Sequence, residues 1–94
     1  MLYDFYGETC PHCVEMKPLV DKVEKELGVT IERVEVWNNE ENAKKLAEID
    51  KGLCGGVPFF WNSEAKTFIC GSTEEETLTA WAKGEKVEGV GQAK

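Results

Sequence analysis

Apolar residues recur along the first third of the chain in two rhythms. Leu2, Tyr3, Phe5 and Tyr6 crowd into residues 2–7, interrupted by Asp4 and closed by Gly7, and a short run this rich in aromatics reads as a strand. From Pro11 the spacing changes. Met16, Leu19, Val20, Val23 and Leu27 fall three or four apart, the repeat of a helix with one buried face, and Gly28 supplies its stop. Pro18 interrupts this helix with a missing backbone donor and is expected to kink it. Residues 30–37 then alternate branched and charged side chains, as a half-buried or edge strand does.

Asn38 followed by Glu41 predicts the cap of a second helix running to about Lys51, with Ala43, Leu46, Ala47 and Ile49 inward and Gly52 at its end. Strand, helix and strand of these lengths make a right-handed βαβ unit with parallel strands. Residues 57–61 and 66–70 read as a hairpin turning at residues 62–65, a register that sets Val57 opposite Cys70. Thr73 and Glu76 form a capping box for a last helix carrying Leu78, Trp81 and Ala82 and ended by Gly84. One domain over residues 1–84 is expected, with residues 85–94, rich in Gly, Lys and Glu, as a flexible tail.

Composition narrows the partners. A net charge of −7 disfavours nucleic acid and anionic membrane surfaces, both of which want a basic face. The apolar runs are shorter than a membrane span, and no basic segment followed by an apolar one opens the chain. A cytoplasmic monomer is therefore expected. Four cysteines in such a chain favour catalysis or metal binding over a disulfide framework.

The chemistry concentrates at Cys10-Pro11-His12-Cys13, directly after the first strand. With the helix starting at Pro11, Cys10 is its N-cap, and the free N–H groups of the first turn and the helix dipole favour a thiolate there. A protonated His12 would add to this. Cys10 is thus the candidate nucleophile, with an exposed loop beside it, and Cys13, one turn in and directed toward the protein, the resolving thiol. Asp4 is out of place in a strand expected to be buried on both faces. It is either wet, at the end of a short strand, or a buried acid–base group beneath the thiols.

These elements and motifs resemble the thioredoxin fold. Asp4-Phe5-Tyr6-Gly7-Glu8-Thr9-Cys10 is similar to the thioredoxin run Asp-Phe-Trp-Ala-Glu-Trp-Cys, Pro18 to the thioredoxin helix proline, and Gly56-Val57-Pro58 to the Gly-Ile-Pro whose proline is cis and faces the cysteine pair. The resemblance covers residues 2 to about 83. It implies an α/β fold, compact βαβ-αββα, with a four-stranded mixed sheet in the order 2-1-3-4 and helices on both faces. The chain starts at the cysteine-bearing strand, a compact form similar to glutaredoxins. Thr9, Val14 and the Pro-His pair depart from the thioredoxin pattern, and Pro-His is the dipeptide of bacterial periplasmic disulfide oxidases.

The activity implied is thiol–disulfide exchange without a bound cofactor, on protein or peptide disulfides paired along Val57 and Pro58 beside Pro11, with recycling by a thioredoxin-reductase-type or glutathione-based reductant. Glutathione-dependent glutaredoxin chemistry is the alternative. A further one is metal or iron–sulfur binding, with Cys10 and Cys13 joined by Cys54, Cys70 or a partner's thiols. Otherwise Cys54 and Cys70 read as a loop thiol and a buried strand thiol, or as a regulatory second disulfide that needs the loop to fold back.

Overall fold

In the computed structural model, which describes residues 1–50, 54 and 56–85, seven elements follow the expected order. These are β1 (Leu2–Tyr6), α1 (Pro11–Leu27), β2 (Ile31–Glu35), α2 (Glu40–Asp50), β3 (Phe59–Asn62), β4 (Thr67–Cys70) and α3 (Glu75–Ala82). The sheet order is β2-β1-β3-β4, with β1 parallel to β2 and antiparallel to β3, and β4 antiparallel to β3.

Alternation along the strands splits the core in two. Leu2 of β1, Ile31 of β2, Phe60 of β3 and Ile69 of β4 pack with Met16, Val20 and Val23 of α1 and Leu78 and Trp81 of α3. On the other face Phe5, Val34, Val36 and Phe59 are covered by Ala43, Leu46 and Ile49 of α2. Helices therefore flank both faces, and Asp4, two residues from Leu2, turns toward α1. The ring of Phe60 meets Trp81 edge-on at 5.5 Å, joining sheet to α3.

Helix α1 begins and ends where periodicity places it, and Gly28 caps it at φ 66°, a left-handed geometry that glycine adopts without a Cβ clash. The helix runs through Pro18 as one element. Elsewhere the caps shift. Asn39, not Asn38, accepts the Asn42 N–H at 3.0 Å to start α2, and Ala47 faces solvent. Asn38 is drawn away because its own N–H donates to Glu35. Helix α3 is capped at Glu74 with no side-chain bond, so the Thr73–Glu76 box is not formed. Glu85 still donates to Ala80, at the predicted start of the tail; residues 86–94, like Lys51 and Gly52, lie outside the described residues. The hairpin register pairs Phe59 with Cys70 and Asn62 with Thr67, which moves Val57 out of β3 and corrects its expected pairing with Cys70. Asn62 explains the shift: its Oδ1 accepts the Glu64 and Ala65 N–H groups, so the turn starts one residue later.

Candidate functional site

The chain leaves β1 at Tyr6 and turns at once, the N–H of Cys10 donating to Gly7 O at 3.1 Å. Cys10 is extended (φ −74°, ψ 117°) and caps α1, while Pro11 at the first helical position has no N–H to satisfy. One of the orphan donors of the first turn, the Cys13 N–H, reaches Cys10 Sγ at 3.2 Å. Cys10 itself is only 4% exposed, although Glu8 and Thr9 in the turn beside it are open to solvent. The Val57 carbonyl lies 3.9 Å from its sulfur and covers that side. The Val57–Pro58 peptide is cis, as the resemblance implies.

Cys13, also buried, is a different kind of thiol. Desolvation pushes it up to about 12, helped by its hydrogen bond with Cys10 and the charges of Cys10 and Asp4, against a backbone bond from Gly7. Asp4 settles on the buried alternative at 7% exposure, and its Oδ1 has no hydrogen-bond partner among the described residues. Burial raises Asp4 to about 7, with the Arg33 guanidinium pulling the other way. Arg33 is its neighbour in register on β2 and is paired with Asp21 and Glu24 at 2.8 and 2.9 Å. A cavity of about 350 Å³, lined by Asp4, Cys13, Val14, Lys17 and Arg33 among others, borders both the acid and the thiol. A carboxyl that titrates near neutrality beside a high-pKa thiol is a competent proton acceptor for it.

His12 points away from this chemistry. Its ring is 67% exposed, with Nδ1 3.4 Å from Glu15 Oε1 across one turn of α1. Pro11 is exposed beside it. The structure thus gathers Cys10, Cys13, Asp4, Val57 and Pro58 and leaves His12 at the rim.

Two supports were not anticipated from the sequence. The Trp37 ring lies against Gly7 so closely that a Cβ there would overlap it. Glu35 accepts the N–H groups of Glu8, Trp37 and Asn38 at 3.0, 3.2 and 2.8 Å, tying the turn before Cys10 to the turn after β2. A lone glycine in the turn and an acid ending a strand carry no signal until β1 and β2 are known to be adjacent.

Cys54 and Cys70 are joined in a disulfide across a Cα–Cα distance of 5.4 Å, so the loop does fold back. Bonded to each other, they are not available as further ligands beside Cys10 and Cys13, which removes that form of the metal alternative. No described helix is long and apolar enough to cross a membrane.

Comparison with known proteins agrees with this geometry. The family model described as Thioredoxin matches residues 1–84. Curated thioredoxins of Rickettsia typhi, Rickettsia prowazekii and Rickettsia conorii are each 28% identical over 81 residues, spanning 86% of this chain and 76% of theirs.

Proposed function

The chain belongs to the thioredoxin family of thiol–disulfide oxidoreductases, and on that premise we propose that it exchanges disulfides with extended peptide or protein substrates through Cys10 and Cys13. The observation that carries this reading is the asymmetry of the pair: one sulfur at a helix N-terminus receiving an N–H, the other desolvated above a buried acid.

The Cys10 thiolate attacks one sulfur of the substrate disulfide, and the other substrate sulfur leaves as a thiolate and takes a proton. Cys13 then gives its proton to Asp4 and attacks Cys10 Sγ, breaking the mixed disulfide and releasing the second substrate thiolate. Two electrons pass to the substrate, and the Cys10–Cys13 disulfide remains. The Val57 edge holds the incoming chain by its backbone, a mode that asks little of substrate side chains. A dithiol reductant of thioredoxin-reductase type, or glutathione, restores the dithiol, and the reducing cytoplasm is the setting we favour. The cycle needs no bound cofactor.

A glutathione-dedicated reading fits less well. Of the two cations lining the cavity beside Cys13, Arg33 is already paired with two carboxylates. Glutaredoxins typically carry Tyr, Thr and a Gly-Gly pair where this chain has His12, Gly56 and Gly71-Ser72. The test is Cys13→Ser: the variant should hold substrate as a long-lived mixed disulfide on Cys10. No trapped species, or fast turnover of a glutathione mixed disulfide with negligible reduction of a protein disulfide, would count against the proposal.

A further inference from the structure

Cys54 and Cys70 take no part in the cycle above, yet they bracket the backbone edge it uses. Cys70 ends β4, and the next residue, Gly71, donates its N–H to Pro58 O at 2.8 Å. Cys54 stands just ahead of Gly56 and Val57 and is bonded covalently to Cys70. The segment that presents the Val57 carbonyl to Cys10 Sγ is therefore fastened to the end of β4 twice, by the disulfide before Val57 and by a backbone bond after it. Its start is also held by the Cys54 N–H, which donates to Asp50 Oδ1 at 2.6 Å.

The hairpin does not depend on this bond. Its strands are paired from Phe59–Cys70 to Asn62–Thr67, with Phe59, Phe60 and Ile69 fully buried. The covalent tie thus acts on the loop rather than on the sheet. Cys54 is half-buried and open to attack, whereas Cys70 is buried. In the same molecule Cys10 and Cys13 are free thiols, so the two cysteine pairs stand in opposite redox states. In a reducing compartment a disulfide is as a rule a transient, redox-active one.

We propose that Cys54–Cys70 is a second redox site, opened by a dithiol, whose bond keeps the Val57 edge in the form that accepts substrate. A thiolate of the dithiol attacks Cys54 Sγ, the Cys54–Cys70 bond breaks, and Cys70 leaves as a thiolate that takes a proton. The second thiol of the reductant then displaces Cys54 from the mixed disulfide. Two electrons pass to the cysteine pair, and the reductant departs as its own disulfide. With the bond open, the Cys54 end keeps only its N–H bond to Asp50 and loses its tie to β4, and an incoming chain must order the Val57 edge before it can pair. The inference rests on the assignment of Cys10 and the Val57 edge to substrate exchange, and its test separates the two.

In the Cys10→Ser/Cys13→Ser protein, titration with dithiothreitol and thiol counting by alkylation should show Cys54–Cys70 opening reversibly with circular dichroism unchanged. Opening only after the fold is lost overturns the proposal. Substrate capture is read with a cysteine peptide capped by thionitrobenzoate, whose chromophore is released on attack by Cys10. Compared with Cys13→Ser, the Cys13→Ser/Cys54→Ser/Cys70→Ser protein should need roughly tenfold more peptide for half-saturation, the factor set by ordering about one residue's backbone, at an unchanged plateau rate. Equal half-saturation overturns the second site and leaves Cys10 standing, while no release from either protein overturns both. Hydrogen exchange at the Cys54 and Gly71 amides, which donate to Asp50 and Pro58 on either side of the edge, gives the same answer in the Cys10→Ser/Cys13→Ser protein with the bond closed and then opened, without substituting Cys54 or Cys70. Protection should fall on opening, and unchanged protection refutes the tie.

Discussion

The backbone N–H of Cys13 donates to the sulfur of Cys10 at 3.2 Å, so the residue proposed to resolve the mixed disulfide also solvates the sulfur proposed to form it. The donation runs one way along the helix start, which makes the two thiols chemically unequal. Iodoacetamide at pH 7 should modify Cys10 faster than Cys13 by roughly tenfold or more, since alkylation follows the thiolate fraction and Cys13 stands near 12. Peptide mapping over a time course reads the ratio, and equal rates would dissolve the assignment of roles.

Asp4 should make both stability and catalysis depend on pH near neutrality. Its folded value near 7 lies above its ordinary value of 3.8, so between those limits the folded protein holds a proton that the unfolded chain has released. Stability therefore falls as pH rises through this window and levels off above it. Asp4→Asn should match the wild type below about pH 4 and exceed it by up to about 4 kcal/mol above pH 7, as denaturant titration would show. Closure of the Cys10–Cys13 disulfide should speed up in the wild type as Asp4 deprotonates around pH 7, and Asp4→Asn should abolish that step. A flat difference in stability across pH 4–8 would contradict a buried carboxyl.

Gly7→Ala should be costly although the added group is one methyl. The Trp37 ring occupies the space, and Gly7 O is already committed to the Cys10 N–H. Displacing the ring or the turn should lower stability by about 1–3 kcal/mol, as overpacking does, and slow attack by Cys10. Gly7→Ala combined with Trp37→Ala should recover most of both losses, and a purely additive double variant would argue against the contact.

Removing the Cys54–Cys70 bond should lower stability without unfolding the protein. The bond spans 16 residues, for which chain entropy gives about 3 kcal/mol, reduced where the denatured state is already compact. Thermal melts of Cys54→Ser/Cys70→Ser against the wild type measure it. An unchanged melting temperature would mean that the bond is absent in solution.

Much of this was legible in the residues because local rules and the fold agree. The repeat from Met16 to Leu27 with Gly28 beyond it marks α1, and the redox pair is where such a helix begins. Where the reading slipped, a side-chain bond to a backbone N–H two or three residues away overrode the expected pattern. Glu35 took Asn38 from the cap of α2, and Asn62 held the hairpin turn one residue later than the spacing suggested. Asp4 could not be placed until the strand had a face. The disulfide was hidden for a related reason: its two cysteines meet through the path of a loop, and no periodicity describes that path.

Among the described residues, strand β2 has β1 on one side and no strand on the other, which leaves a sheet edge only partly taken by side chains, Glu24 accepting the Ile31 N–H at 2.6 Å and Asn42 donating to the Glu35 carbonyl at 2.9 Å. Such an edge invites another chain to extend the sheet. Glu32, Arg33 and Glu35 lie along it, and a second copy laid antiparallel would have to bring its own charges against them. The pairing of Arg33 with Asp21 and Glu24 anchors one of these side chains to α1, so it cannot swing aside to let a partner strand dock. The same arginine that moderates the Asp4 carboxyl thus guards the sheet against continuing beyond its own boundary.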